Sequence, residues 1–240
     1  MPCLNPIPAP TASVMVPMLT DAALLRLLQL SSAALPVGGY SFSQGLEYAV
    51  ECGWVIDFKT TEEWLALGLS EGLGSLDIPI ASRLYCALDE QDSTAFHYWN
   101  RYALAARESR ELLLADVAMG DALLRLLSNL PQALSETCNK LEPSFLAVFV
   151  STAWQWQISE KACVIGLVWC WLEAQIAAAT KLVPLGQTQA QQLLGLLQQQ
   201  IPAVLDRAAT LQDDDIGNTL PGLAMASALH ETQYCRLFRS

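Results

Sequence analysis

Apolar residues recur at helical spacing along most of this chain. Leucine dominates the segments 24–30, 111–127 and 193–201, where each set of apolar positions falls on one side of a helix. Valine and isoleucine are sparse, and sustained period-two alternation of the kind that marks a half-buried strand is missing from the sequence. The pattern predicts an all-α protein, a single-domain bundle of about ten helices.

Polar caps and helix breakers predict where several of these helices begin. Thr20 or Asp21 can cap the first helix, and Thr60 with Glu63 three residues later has the spacing of a capping box. Pro143 is predicted to begin an uncharged helix. The segment 162–172 is apolar on all sides, which predicts the central buried helix of the bundle.

Composition divides the chain into three regions. Five of the twelve prolines lie in the first 17 residues, so residues 1–19 are predicted to be a disordered Pro-rich arm. Residues 20–210 form the predicted helical domain. Residues 211–240 contain an acidic loop at 213–215, a last helix that begins at Pro221, and a short C-terminal tail.

Charge excludes several classes of partner. The net charge of −11 would repel nucleic-acid phosphates and anionic membrane surfaces. Charged residues make up only 15% of the chain, against about 25% in typical soluble domains, so either other subunits or a bilayer would cover apolar surface. The uncharged run 143–159 is shorter than the roughly 20 apolar residues of a membrane span, which favours buried helices and protein partners.

The start of the chain and its cysteines predict a cytoplasmic protein. The first 20 residues contain no basic residue and no long apolar run, so they do not resemble a secretory signal. Seven scattered cysteines without a C-x-x-C pair favour reduced thiols.

The chain is poor in the residue types that catalysis and metal binding require. His97, among aromatic residues, is best explained by packing, and His230 by a helix end at which the ring bonds to nearby backbone. His230, Glu231 and Cys235 could touch a metal only transiently, so we expect no resident metal site and no cofactor. The G-x-S-x-G and phosphate-loop patterns are both missing, so we do not expect an enzyme.

The last residues have the composition of an interface. Tyr234, Leu237 and Phe238 alternate with Arg236 and Arg239, and Tyr and Arg are enriched at binding hot spots. A tail that packs on its own domain would show the same composition. Both interpretations remain open at the level of sequence.

Several segments, in order, resemble the urease accessory protein UreF family. They are LPVGGYSFSQGLE at 35–47, RESREL at 107–112, LVPLGQT at 182–188, DIG at 215–217, PGL at 221–223 and HETQYCRLFRS at 230–240. The resemblance extends from about residue 24 to the end of the chain. Its most specific part is the C-terminal block.

This resemblance implies an all-α homodimer that assembles with the accessory protein UreD (UreH in some bacteria) and the GTPase UreG. That assembly would deliver nickel to apo-urease. Two finer alternatives stay open: regulation of UreG by an arginine supplied in trans, from Arg107, Arg110, Arg236 or Arg239, and passage of nickel along a path past His230 and Cys235. The implied partner-binding residues are Gly38, Gly39, Tyr40, Ser41, Phe42, Gly45, Glu47, Arg107, Glu108, Arg110, Gln187, Tyr234, Arg236, Leu237, Phe238 and Arg239.

Overall fold

The computed structural model describes residues 19–130, 142–217 and 219–239, and within these ranges it contains eleven α-helices and no strand. The prediction of an all-α protein is therefore confirmed. The predicted arm at 1–19 lies almost wholly outside the described residues. The helices are α1 (Asp21–Leu30), α2 (Leu46–Glu51), α3 (Phe58–Leu67), α4 (Asp77–Asp89), α5 (Ser93–Ala105), α6 (Arg110–Ser128), α7 (Phe145–Gln155), α8 (Glu160–Leu182), α9 (Gln187–Gln198), α10 (Ile201–Ala208) and α11 (Pro221–His230).

Side-chain caps explain where several helices start. The hydroxyl of Thr20 accepts a hydrogen bond from the amide of Ala23 at the start of α1, as predicted. The prediction for α3 is wrong by one turn, because Asp57 is the cap and forms the capping box with Thr60. Likewise, the uncharged helix begins after Pro143, at Phe145, and Ser144 caps it.

The helix α8 runs through the middle of the protein and packs against α1, α2, α3, α4, α7 and α9. The segment 162–172 lies in this helix as predicted, and Cys163, Val164, Leu167, Val168 and Leu172 are buried, but Ile165 is 40% exposed, so the helix is not buried on every side. Glu160–Leu182 is also long and apolar enough to cross a membrane by length and composition alone. Core helices pass the same test, and 56% of this stretch is buried inside the protein, so its length is weak evidence for a span.

The buried residues form two hydrophobic clusters that α8 joins. The first contains the facing sides of α4, α5, α6 and α7, together with the first half of α8. The second contains α2, α3 and α9 with the second half of α8, and it includes Phe238 from the C-terminal tail. The helix α11 packs on α2 and α6, so the end of the chain lies against the turn that precedes α2.

Candidate functional site

The glycine-rich turn at 38–47 is shaped by left-handed backbone and by close packing. Gly38 and Gly45 have φ values of 78° and 84°, in the region that favours glycine. A Cβ atom on Gly45 would lie 3.1 Å from the amide nitrogen of Ser227, so this glycine also lets α11 approach closely. The side chain of Gln44 accepts a hydrogen bond from the indole nitrogen of Trp171 at 2.8 Å, which attaches the turn to α8.

The segment 107–112 begins with an arginine that is paired inside the protein. The guanidinium of Arg107 bonds Asp116 through Nε at 2.9 Å and Asp77 through Nη2 at 2.6 Å. Burial lowers the pKa of Arg107, but the two carboxylates outweigh burial and hold the pKa above its ordinary value. Asp116 also accepts from the amide of Phe145 at 2.8 Å, so Arg107 links α4, α6 and α7.

The same segment connects the start of α6 to the end of α11. Ser109 caps α6 by accepting from the amide of Leu112, and its hydroxyl lies 2.7 Å from the hydroxyl of Ser227. Glu231 accepts from the amide of Glu111 at 3.1 Å. These two hydrogen bonds, between Ser109 and Ser227 and between Glu111 and Glu231, therefore fix the two helix ends together.

A buried histidine lies between two buried glutamates at this junction. His230 Nδ1 is 2.6 Å from Glu111 Oε1, and His230 Nε2 is 2.9 Å from Glu47 Oε2. The ring is fully buried, and both glutamates are nearly so. The expectation that His230 bonds to nearby backbone is wrong, because its partners are carboxylates on α2 and α6.

Glu47 also holds the C-terminal tail in place. Its carboxylate accepts from the backbone amides of Leu237 at 2.5 Å and Phe238 at 2.9 Å. The amide of Arg239 donates to the carbonyl oxygen of Ser41 at 2.9 Å. Three backbone hydrogen bonds therefore fix the tail on the turn and on α2.

The tail contains both buried and exposed side chains. Phe238 is buried in the second hydrophobic cluster, and Lys181 Nζ lies 5.4 Å from the centre of its ring. Tyr234 is fully exposed and Leu237 is 65% exposed, on a backbone that is nevertheless fixed. We call the exposed aromatic and apolar side chains of the turn, α11 and the tail the docking surface; it consists of Tyr40, Met225, Leu229, Tyr234 and Leu237.

A cavity of about 240 Å³ lies beside the turn. Most of its lining is apolar, with contributions from α6, α8 and α11. Five of the implied partner-binding residues line it: Gly39, Tyr40, Phe42, Arg107 and Glu108. The structure thus brings the turn and the segment 107–112 to one place.

The remaining implied residues divide by position. Arg110, Arg236 and Arg239 are exposed, and Arg110 begins α6 beside the α11 junction. Gln187 is exposed at the start of α9, which packs on α8 and α3. The structure therefore places Gln187 on a different element from the turn and the tail.

Sequence reasoning missed the residues that organise the site. Asp77, Asp116 and Glu111 were not among the implied residues, although Glu111 lies inside the segment that carries the resemblance.

Within residues 19–130, 142–217 and 219–239, no group of three or more histidine, cysteine or acidic side chains could hold a metal ion. Both ring nitrogens of His230 are engaged by carboxylates, and Cys235 is exposed on the tail.

Comparison with known proteins identifies the family. The UreF family model matches residues 55–198. The urease accessory protein UreF of Marinomonas sp. (strain MWYL1) is 47% identical over 92% of this chain and 96% of its own length. The UreF proteins of Teredinibacter turnerae (46% identical; 90% of this chain, 98% of the relative) and Pseudomonas entomophila (47%; 92% and 99%) are similar. The chain belongs to the UreF family.

Membership of the UreF family gives the chain a role in urease maturation as an accessory protein. The match to the relatives covers nearly their whole length. In this UreF-family protein, the turn, the segment 107–112 and the C-terminal tail form a single junction around His230.

Proposed function

We propose that this chain is a protein-binding scaffold that joins UreD (UreH) to the GTPase UreG during delivery of nickel to apo-urease. The observation that carries the proposal is a tail with a fixed backbone and outward-facing interface residues. Glu47 and Ser41 hold three backbone amides, while Tyr234 and Leu237 extend into solvent. Tyrosine and arginine are typical of binding hot spots, and a prefixed backbone reduces the entropy lost on binding.

The chemistry of the described residues also supports a binding role. The potential general base of this junction, His230, is buried and held by two carboxylates, where a substrate could not reach it. We propose that the chain has no catalytic centre and no cofactor of its own, and that nickel is cargo of the assembly. The proposal includes a homodimer, as the family resemblance implies, and a cytoplasmic location.

Regulation of GTP hydrolysis by UreG is a narrower form of the same proposal. An arginine supplied in trans must be free to reach the transferred phosphoryl group. Arg107 is already paired with Asp77 and Asp116, whereas Arg110, Arg236 and Arg239 are exposed. Measuring UreG hydrolysis with each exposed arginine changed to alanine would test this form, and an unchanged rate in all three variants would leave scaffolding alone.

The docking surface can be tested without disturbing the core. The double variant Tyr234→Ser, Leu237→Ser changes only exposed side chains and keeps Phe238 and the bonds to Glu47. We expect binding to UreD or to UreG, measured separately, to weaken at least about tenfold, the effect of about 1.4 kcal/mol.

The matched control is Leu24→Ser, Leu25→Ser, which changes two exposed leucines on α1. We expect this control to bind both partners like the unmodified chain, and both variants to have unchanged helix content by circular dichroism. If the tail variant binds UreD and UreG as tightly as the control, the docking surface is misassigned.

A further inference from the structure

The contacts of His230 require one proton more than a neutral histidine carries. A neutral imidazole has one N–H and one lone pair. Here both ring nitrogens lie within hydrogen-bond distance of a carboxylate oxygen, at 2.6 Å and 2.9 Å. A lone pair facing a carboxylate would be repelled, so an additional proton must lie on the ring or on one of the two glutamates.

The surroundings indicate where that proton lies. Glu47 accepts two backbone amides besides facing the ring, so both of its oxygens already serve as hydrogen-bond acceptors. Glu111 has one buried oxygen, Oε2, without a hydrogen-bond partner. Burial raises the pKa of the Glu111 carboxyl, against the opposing effect of His230. The additional proton is therefore shared between His230 Nδ1 and Glu111.

Other charged groups around the junction act in both directions. The charge of Glu231, whose carboxylate binds the amide of Glu111, favours retention of the proton, and Arg236 opposes it. On the α8 side, Lys181 lies over the ring of Phe238. The hydroxyls of Ser109 and Ser227 bond each other and carry no charge.

We propose that the Glu47–His230–Glu111 cluster is a proton-dependent latch that holds the C-terminal tail against the turn. Without the shared proton, one ring nitrogen presents a lone pair to a carboxylate whichever tautomer forms. His230 is the last residue of α11, and the tail follows it directly. Repulsion at either nitrogen therefore displaces the tail relative to Glu47, which holds the amides of Leu237 and Phe238.

The direction of the pH dependence follows from the proton count. The latched state binds one proton more than the released state once the pH exceeds the ordinary range of the groups involved. Latching is then complete at low pH and is lost as pH rises, because protons favour the state that binds more of them. Between the ordinary pKa range of the released groups and the pKa of the latched cluster, we expect the latched-to-released ratio to fall tenfold per pH unit.

Nuclear magnetic resonance of the isolated chain tests the latch directly. The sequence contains two histidines, His97 and His230, so ring-nitrogen signals can be assigned from one His97→Gln variant. At pH 6 we expect both ring nitrogens of His230 to be protonated or strongly hydrogen-bonded. As pH rises to 9, the ring signals and the backbone amide signals of Leu237 and Phe238 should change together.

Two glutamine variants separate the latch from a purely structural contact. In Glu111→Gln, the amide can donate to Nδ1 of a neutral ring while Nε2 donates to Glu47, so the tail should stay bound from pH 6 to 9. In Glu47→Gln, one acceptor oxygen becomes a donor, so the tail should be released at every pH. The exposed control Glu63→Gln should titrate like the unmodified chain.

The proposal is overturned if the tail amide signals of the unmodified chain do not change between pH 6 and 9. It is also overturned if Glu111→Gln releases the tail, as loss of a simple ion pair would. Only the functional consequence of the latch rests on the proposed docking role. If Tyr234→Ser, Leu237→Ser weakens binding to UreD or to UreG, the unmodified chain should bind that same partner more weakly at high pH. Glu111→Gln should bind it equally well from pH 6 to 9. A tail that titrates while partner binding stays constant would support the latch and contradict the docking role.

Discussion

Arg107 joins three parts of the chain through one buried carboxylate, that of Asp116, and one partly buried carboxylate, that of Asp77. Its guanidinium is only 16% exposed, and Asp116 is 8% exposed. Removing one member of a buried ion pair leaves the other charge without compensation, which costs far more than loss of an exposed pair. The main contribution of Arg107 is therefore to the fold.

Arg107→Ala should lower the free energy of unfolding by about 3–5 kcal/mol, since Asp116 would stay buried and Asp77 partly buried without a cation. The matched control is Arg110→Ala, three residues later and exposed, which should change stability by less than about 0.5 kcal/mol. Urea unfolding followed by circular dichroism measures both variants. Equal stability of the two variants would contradict this assignment of Arg107.

The pairing of His230 illustrates what sequence patterns leave out. Its two partners are 183 and 119 residues away along the chain, on α2 and α6. Local spacing carries no information about contacts of that range, so the sequence favoured a helix-end histidine that bonds to backbone. The block 107–112 did contain Glu111, but its role depends on the approach of α11.

Helices, in contrast, were largely predictable because their signals are local. Thr20 and Pro221 mark helix starts through their own backbone and side-chain chemistry, and both predictions are confirmed. The predicted start of α3 was wrong because Thr60 and Glu63 have the same capping-box spacing as Asp57 and Thr60, which form the box in the structure. Which of two overlapping capping boxes forms depends on the path of the preceding chain.

Close helix packing can be tested at glycines with ordinary helical backbone. A Cβ on Gly120 of α6 would lie 2.5 Å from the carbonyl oxygen of Pro143, and backbone atoms there have little room to move. Gly120→Ala should therefore force α6 away from the start of α7 and destabilise the protein by about 1–3 kcal/mol.

Gly195→Ala on α9 is the control, because a Cβ there meets nothing within 4 Å. Alanine has the higher helix propensity, so this variant should be more stable by about 0.5–1 kcal/mol. Thermal unfolding of both variants gives opposite shifts if the packing is correct. Stabilisation of the protein by Gly120→Ala would show that α6 and α7 do not approach as described.

At the scale of the whole molecule, the size of the hydrophobic core partly explains why only 15% of the residues are charged. The central helix α8 packs against α1, α2, α3, α4, α7 and α9, and this packing accounts for many of its apolar residues. Apolar side chains still exposed on α11 and the tail belong to the surface for which a docking role is proposed. The all-α fold was therefore predictable from composition and periodicity, whereas the identity of the exposed residues required the structure.

The tail connects the fold to the proposed function. Phe238 packs into the same hydrophobic cluster as residues of α8 and α9, so the end of the chain is part of the folded body. Sequence composition could not distinguish packing from docking, since one short segment combines the buried Phe238 with the exposed Tyr234 and Leu237. A fixed backbone with exposed Tyr234 and Leu237 is the arrangement that a preformed binding site requires.

Co-expression of UreD and UreG with and without this chain, followed by size-exclusion chromatography and mass measurement, tests the scaffold most directly. The account predicts one assembly that contains all three proteins, and separate elution of UreD and UreG when the chain is omitted or carries Tyr234→Ser, Leu237→Ser. Elution of UreD with UreG in the absence of this chain would contradict the account.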